Sequence, residues 1–198
     1  MDRRLKSWPQ PVAALLATAM SLAAAAEAVP DAAVVRFNAI CATCHEGECS
    51  GRLSFDSGAA AARNHVERHA GPSDASLLRQ LYAILRHTKE NCHQYPLTNP
   101  PQARSEWTAE DIAPWRDTHF GTYFIPLGEL GTGQRRLEFE FDGPATGSAR
   151  LADERMDTAA EERFSRGSEP AMVLTAVAGM RYYLHLQTEA VLQQLRIR

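Results

Sequence analysis

This 198-residue chain has no low-complexity tract, no block of like charge and no internal repeat. Without such blocks, composition gives no reason for wholesale disorder. Its basic residues form no stripe and its formal net charge is -3. That removes the electrostatic footprint of a nucleic-acid binder. Methionine is missing between Met20 and Met156, and cysteine is limited to four positions. Both scarcities constrain the chemistry below. What remains, 44% hydrophobic and 23% charged, is the balance of a soluble globular protein. The length suits one ordinary domain or two small ones.

Long apolar runs are also lacking, with one short exception. Arg3, Arg4 and Lys6 precede an Ala/Leu-rich stretch from about Val12 to Ala26, which ends in Ala26-Glu27-Ala28. A basic lead, a short apolar stretch and small residues at the end predict a secretory signal over residues 1–28, cut after Ala28. The stretch falls short of the roughly 20 residues of a membrane span. Membrane attachment is expected only if the signal stays uncleaved. The mature chain is then mildly acidic and periplasmic or otherwise exported. Export places it where thiols are usually paired or used.

The chemistry concentrates at Cys41-Ala42-Thr43-Cys44-His45, a C-x-x-C-H sequence. Two thiols three apart on a helical turn can each add to one vinyl group of a single porphyrin, and the adjacent imidazole then reaches the iron. Two other readings compete. Cys41, Cys44, His45 and Cys49 are potential zinc ligands, but so close in sequence they would form an unusually tight knuckle. A thioredoxin-like site needs a βαβ context, and the pattern here lacks one. With two cysteines used by the motif, Cys49 and Cys92 remain as a candidate disulfide.

The motif and the order of parts around it resemble the monohaem c-type cytochromes over about residues 30–118. The resemblance implies one covalent haem c, with Cys41 and Cys44 as thioether sites and His45 as the proximal iron ligand. It also exposes a departure. Such cytochromes usually supply a methionine as sixth ligand some tens of residues after the motif, and this chain has none there. Histidine then becomes the expected sixth ligand, or the position is open. The candidates are His65, His69, His87 and His93. At helical spacing Ala59, Ala62, Val66 and His69 share one arc, with His65 at its edge. His87 falls far from the apolar stripe of its own helix. This ranks His69 first, with His65 and His87 as alternatives. Arg52, Arg63 and Arg68 are candidates to pair with haem propionates.

Patterning divides the chain near residue 120. Helical spacing is expected over about 32–45, 57–70 and 74–91. Asp56 or Ser57 caps the second of these, and Gly71 closes it. Pro96, Pro100 and Pro101 then exclude a helix, and Thr108 to Asp111 resembles a capping box that opens a short fourth one. Beyond about Thr122, Leu137, Phe139 and Phe141 alternate with Glu138 and Glu140. Tyr182, Leu184 and Leu186 alternate with Tyr183 and His185. Such period-two runs predict seven or eight antiparallel strands with one wet face. The expected class is α+β: a signal (1–28), a small all-helical cytochrome c-like haem domain (29–119) and an antiparallel β-sandwich (120–198). The alternating Leu137–Phe141 strand and the Ala178–Leu184 run make the sandwich similar to pre-peptidase C-terminal domains, which implies an accessory or docking role.

These features lead to an electron carrier, not an enzyme, that exchanges single electrons with a redox partner protein. The alternative is a haem-based ligand-binding or sensor protein with an open distal site. A small haem enzyme such as a peroxidase ranks third, because no acid–base constellation is visible. His119 and His185 alone do not make a catalytic triad.

Overall fold

The computed structural model describes residues 29–42 and 57–198. Cys44, His45, Cys49 and Arg52 lie outside the described residues, as does the expected signal.

Among the described residues nine strands form two antiparallel sheets. The first runs in the order β1 (Glu106–Thr108), β9 (Leu192–Ile197), β4 (Gly133–Phe141), β7 (Ala171–Ala176). The second runs β2 (Arg116–Asp117), β3 (Thr122–Glu129), β8 (Arg181–Thr188), β5 (Gly147–Asp153), β6 (Thr158–Phe164). Seven of the nine strands follow residue 120, and the two short ones precede it.

Period-two alternation builds the core of the first sheet. Leu137 and Phe139 are buried, and Phe139 is paired with the fully buried Leu195. Glu138 and Glu140 fall on the other face, where they meet Arg136, Arg196 and Arg198. In the second sheet Ile125, Leu184 and Leu151 lie in one row across three strands, each fully buried. Two buried tyrosines complete polar pairing inside this core. The Leu192 N–H donates to the Tyr123 hydroxyl at 3.0 Å, and the Val177 N–H donates to that of Tyr182 at 2.9 Å. Pairing of this kind avoids the cost of a buried unsatisfied N–H.

The helices are short. α1 (Asp31–Arg36) runs into a π-helical segment, Phe37–Cys41. α2 (Arg63–Ala70) follows a 3₁₀ turn, Ala59–Ala62, and ends at Gly71, whose φ of 76° closes it as expected. α3 (Ala75–Asn91) is capped by Asp74, which accepts from the Leu77 N–H at 2.7 Å. α4 (Ala109–Ile112) opens on the expected capping box: the Thr108 hydroxyl accepts from the Asp111 N–H, and the Asp111 carboxylate accepts from the Thr108 N–H.

The expected division into an all-helical haem domain followed by a sandwich is overturned. The protein is mostly antiparallel sheet with a few short helices, and among the described residues no self-contained helical domain exists. One hydrophobic cluster runs from Val34 and Phe37 through Leu78, Leu81 and Ile84 into Phe124, Leu184 and Leu195. The physical reason is size. α1, the π segment, α2 and the 17-residue α3 present too little apolar face to enclose a core alone. α1 and the π segment pack on the second sheet instead, and α2 and α3 pack on them. The face of β8 expected to be wet is covered in part: Arg181 and Gln187 are exposed, but His185 is half-buried. Tyr183 is buried and stacks on Phe124 with centroids 5.4 Å apart.

Candidate functional site

Three helical stripes enclose one cleft of about 250 Å³. Phe37, Ile40 and Cys41 come from the π segment. Ala62, His65, Val66, His69 and Ala70 come from the second helical stretch, and Leu78, Leu81, Tyr82 and Leu85 from α3. Within each element the spacing is three and four residues, so one face of each helix supplies one wall. Among the described residues no lining residue is acidic, and none is lysine or arginine.

The walls are fixed by identifiable contacts. The π segment is closed by the Ala42 N–H donating to the Phe37 carbonyl, five residues back. Such π-turns are rare and frequently mark functional sites. Asn38, buried beside it, donates from Nδ2 to the Val34 carbonyl at 3.0 Å. Arg36 spans two walls: its Nη2 donates to the Ala70 carbonyl at 2.7 Å, one residue past His69, and its Nε lies 3.9 Å from the Asp117 carboxylate. At the start of α1, the Asp31 carboxylate accepts from the Thr98 N–H at 2.7 Å and the Asn99 N–H at 3.2 Å. The proline-containing segment is thereby pinned against α1.

Of the sequence-derived candidates, Cys41, His65 and His69 line this cleft. The two imidazoles are neighbours on α2, with ring centroids 4.8 Å apart. They differ in their angle to the buried centre of the helix. At 3.6 residues per turn His69 lies about 60° from the buried Val66, and His65 about 100°. His87 is elsewhere. It packs edge-on to Tyr95 with centroids 5.0 Å apart and meets the Asn91 side chain at 3.2 Å. Burial lowers its pKa, and nearby His93 adds to that. His93 itself sits 2.9 Å from the Asn91 carbonyl. Cys92 ends α3 in the left-handed conformation at φ 55° and is disulfide-bonded; its expected partner, Cys49, lies outside the described residues. Arg63 reaches the Ser73 carbonyl and Glu67 and does not line the cleft.

The donor types, thiol and imidazole, are those that a haem c group would use. Among the described residues a thiol and two imidazoles border a cleft otherwise walled by Tyr82 and by Phe, Ile, Leu, Val and Ala side chains, and the two histidines are exposed. Imidazole suits iron, and apolar walls control dielectric and solvent access. Among the described residues no group of three or more His, Cys, Asp or Glu is placed to hold a bare metal ion.

A second cavity, of about 290 Å³, lies on the other side of the π segment and shares Ile40 with the first. Its polar lining comes from Asn38, Thr122, Ser148, Arg150, Glu161, His185 and Gln187. Sequence reasoning missed it. These residues come from the π segment and four strands, and only register brings them together: Arg150 pairs with both His185 and Glu161. The one available signal was His185 falling out of phase with the buried Leu184 and Leu186. Burial pushes its pKa down to about 3, Arg150 adds to the shift, and a hydrogen bond to the Asn38 backbone opposes it.

Among the described residues no helix is long and apolar enough to cross a membrane. No family model matches the chain, and no curated protein matches it. A solved structure of a family GH115 4-O-methyl-alpha-glucuronidase, with specificity for decorated arabinogalactans, shows a partial likeness at 11% identity. It covers 70% of this chain, which spans 24% of that chain, at a TM-score of 0.32. A likeness at that score carries no argument about fold or activity.

Proposed function

We propose that the protein is an exported c-type cytochrome, with one haem c attached at Cys41 and Cys44 and His45 as its proximal ligand. It transfers single electrons to or from a partner protein. The observation that supports this most is the cleft itself, which places Cys41 beside His65 and His69 on apolar walls. His69 is the proposed sixth ligand because it lies nearer the buried arc of α2 than His65 does.

A haem bound there supplies a one-electron iron couple. The chain's own residues do the rest. Leu78, Leu81, Leu85 and Phe37 keep water from one side of the cleft. Arg36 holds the Cys41-bearing segment against the end of α2. With His45 and His69 as ligands the iron would be low-spin, usually of lower potential than with a histidine–methionine pair. The site is a helical layer packed on a sandwich, and it needs no separate helical domain.

The test is expression with a haem-ligation system, followed by intact mass and a pyridine haemochrome spectrum. The expected mass exceeds that of the mature polypeptide by one haem, with a c-type spectrum. A colourless protein of polypeptide mass refutes the proposal. On that holoprotein, His69→Ala is expected to convert a low-spin spectrum to high-spin while His65→Ala leaves it low-spin. Carbon monoxide is expected to leave the reduced wild-type spectrum unchanged; rapid binding indicates the sensor reading instead.

A further inference from the structure

We propose that the polar cavity between the Phe37–Cys41 segment and the second sheet is a binding site for an uncharged sugar of monosaccharide size. The cavity is separate from the haem cleft, and Ile40 forms part of the wall between them.

Three observations carry the inference. The first is a buried polar atom. Thr122 lines the cavity at 8% exposure, and its Oγ1 has no hydrogen-bond partner among the described residues. A buried hydroxyl of this kind is costly unless something pairs with it. The second is charge balance. Arg150 and Glu161 face each other across β5 and β6, and among the described residues they are the only lining residues of fixed charge. One cation beside one anion leaves no net field to select a charged ligand. Asn38, Ser148, Gln187 and Thr122 add amide and hydroxyl groups that both donate and accept. A sugar hydroxyl has the same dual character. The third is the rim. Phe120 lines the mouth at 44% exposure and offers an apolar ring. The C–H face of a sugar ring covers such a ring while its hydroxyls reach the polar walls.

The size agrees. At the roughly 30 Å³ that a water occupies in the liquid, about 290 Å³ is the room of about ten waters. That admits one six-membered sugar ring with bridging waters but excludes a folded partner.

The experiment is saturation-transfer NMR on the exported full chain with glucose, galactose, mannose and xylose, using the anion glucuronate and the zwitterion glycine as charge-bearing comparators. At least one neutral sugar is expected to take up saturation, and neither comparator. Thr122→Val preserves side-chain volume and is expected to weaken that sugar about fivefold to tenfold, the effect of one lost hydrogen bond. Phe120→Ala, at an exposed position, is expected to weaken it as well. The proposal is overturned if no neutral sugar in the set responds. It is equally overturned if a charged comparator binds as well as the sugars, or if both folded variants bind like wild type. The readout needs no haem, so its failure leaves the cytochrome reading standing, and the reverse also holds.

Discussion

Arg36→Met tests whether the two walls of the cleft are tied together as described. The replacement keeps the unbranched stem and removes the guanidinium. It deletes the 2.7 Å hydrogen bond from Nη2 to the Ala70 carbonyl and leaves a carbonyl on a residue that is fully buried. A hydrogen bond from a charged donor is worth about 1.5–3 kcal/mol. The ion pair to Asp117 is long, at 3.9 Å, and the carboxylate retains the His119 and Phe120 N–H groups at 3.0 Å each. Its loss therefore adds little. Arg36 is 26% exposed, which moves the sum to the lower part of that range, about 2 kcal/mol. For a chain of this size the Tm is expected to fall by about 4–8 °C. Urea unfolding followed by far-UV circular dichroism reads it as a lower midpoint with an unchanged slope. Arg136→Met is the control: Arg136 and its partner Glu138 are 49% and 29% exposed, and such surface pairs contribute about 1 kcal/mol or less. Equal losses from the two substitutions refute the tie between the walls.

Three further outcomes are expected. Gly147→Ala places a Cβ 2.0 Å from the Gln187 carbonyl oxygen, an overlap only backbone movement relieves; a loss of about 3 kcal/mol is expected in urea titration, and wild-type stability shows that β5 and β8 are not that close. Tyr123→Phe leaves the Leu192 N–H without the acceptor it has at 3.0 Å, at a cost of about 1–3 kcal/mol; a midpoint shift near zero means another group takes its place. His185 is neutral in the fold, with its pKa pushed down to about 3 from an ordinary 6.5. As pH falls between those values the unfolded chain takes up a proton that the folded chain does not, so stability is lost by up to about 1.4 kcal/mol per pH unit. His185→Gln removes that component. Midpoints measured across the acid range should flatten in the variant, and parallel profiles contradict the burial of the ring.

Local order was readable wherever neighbouring residues determine it. Gly71 as a terminator and the Thr108–Asp111 box both depend on atoms within four residues of each other. The alternation of Leu137, Phe139 and Phe141 reads as a strand because side chains on a strand alternate with period two. The arc that selected His65 and His69 over His87 follows from the helical repeat in the same way. The face of β8 expected to be wet is covered in part because alternation shows only that two faces differ. Whether a helix covers the second face depends on residues more than 140 positions earlier in the chain.

From residue types and spacing alone come the C-x-x-C-H motif, the missing methionine, the α2 histidines, the alternating strands at Leu137–Phe141 and Tyr182–Leu186, and most helix boundaries. Each of these is a short-range property of the chain. Tertiary structure alone decided that the helices share one core with the sandwich, that Cys41 faces His65 and His69, and that His185, Arg150 and Thr122 meet behind Ile40. Those outcomes depend on which apolar faces are large enough to be buried together, and that balance of areas belongs to the whole chain rather than to any window of it.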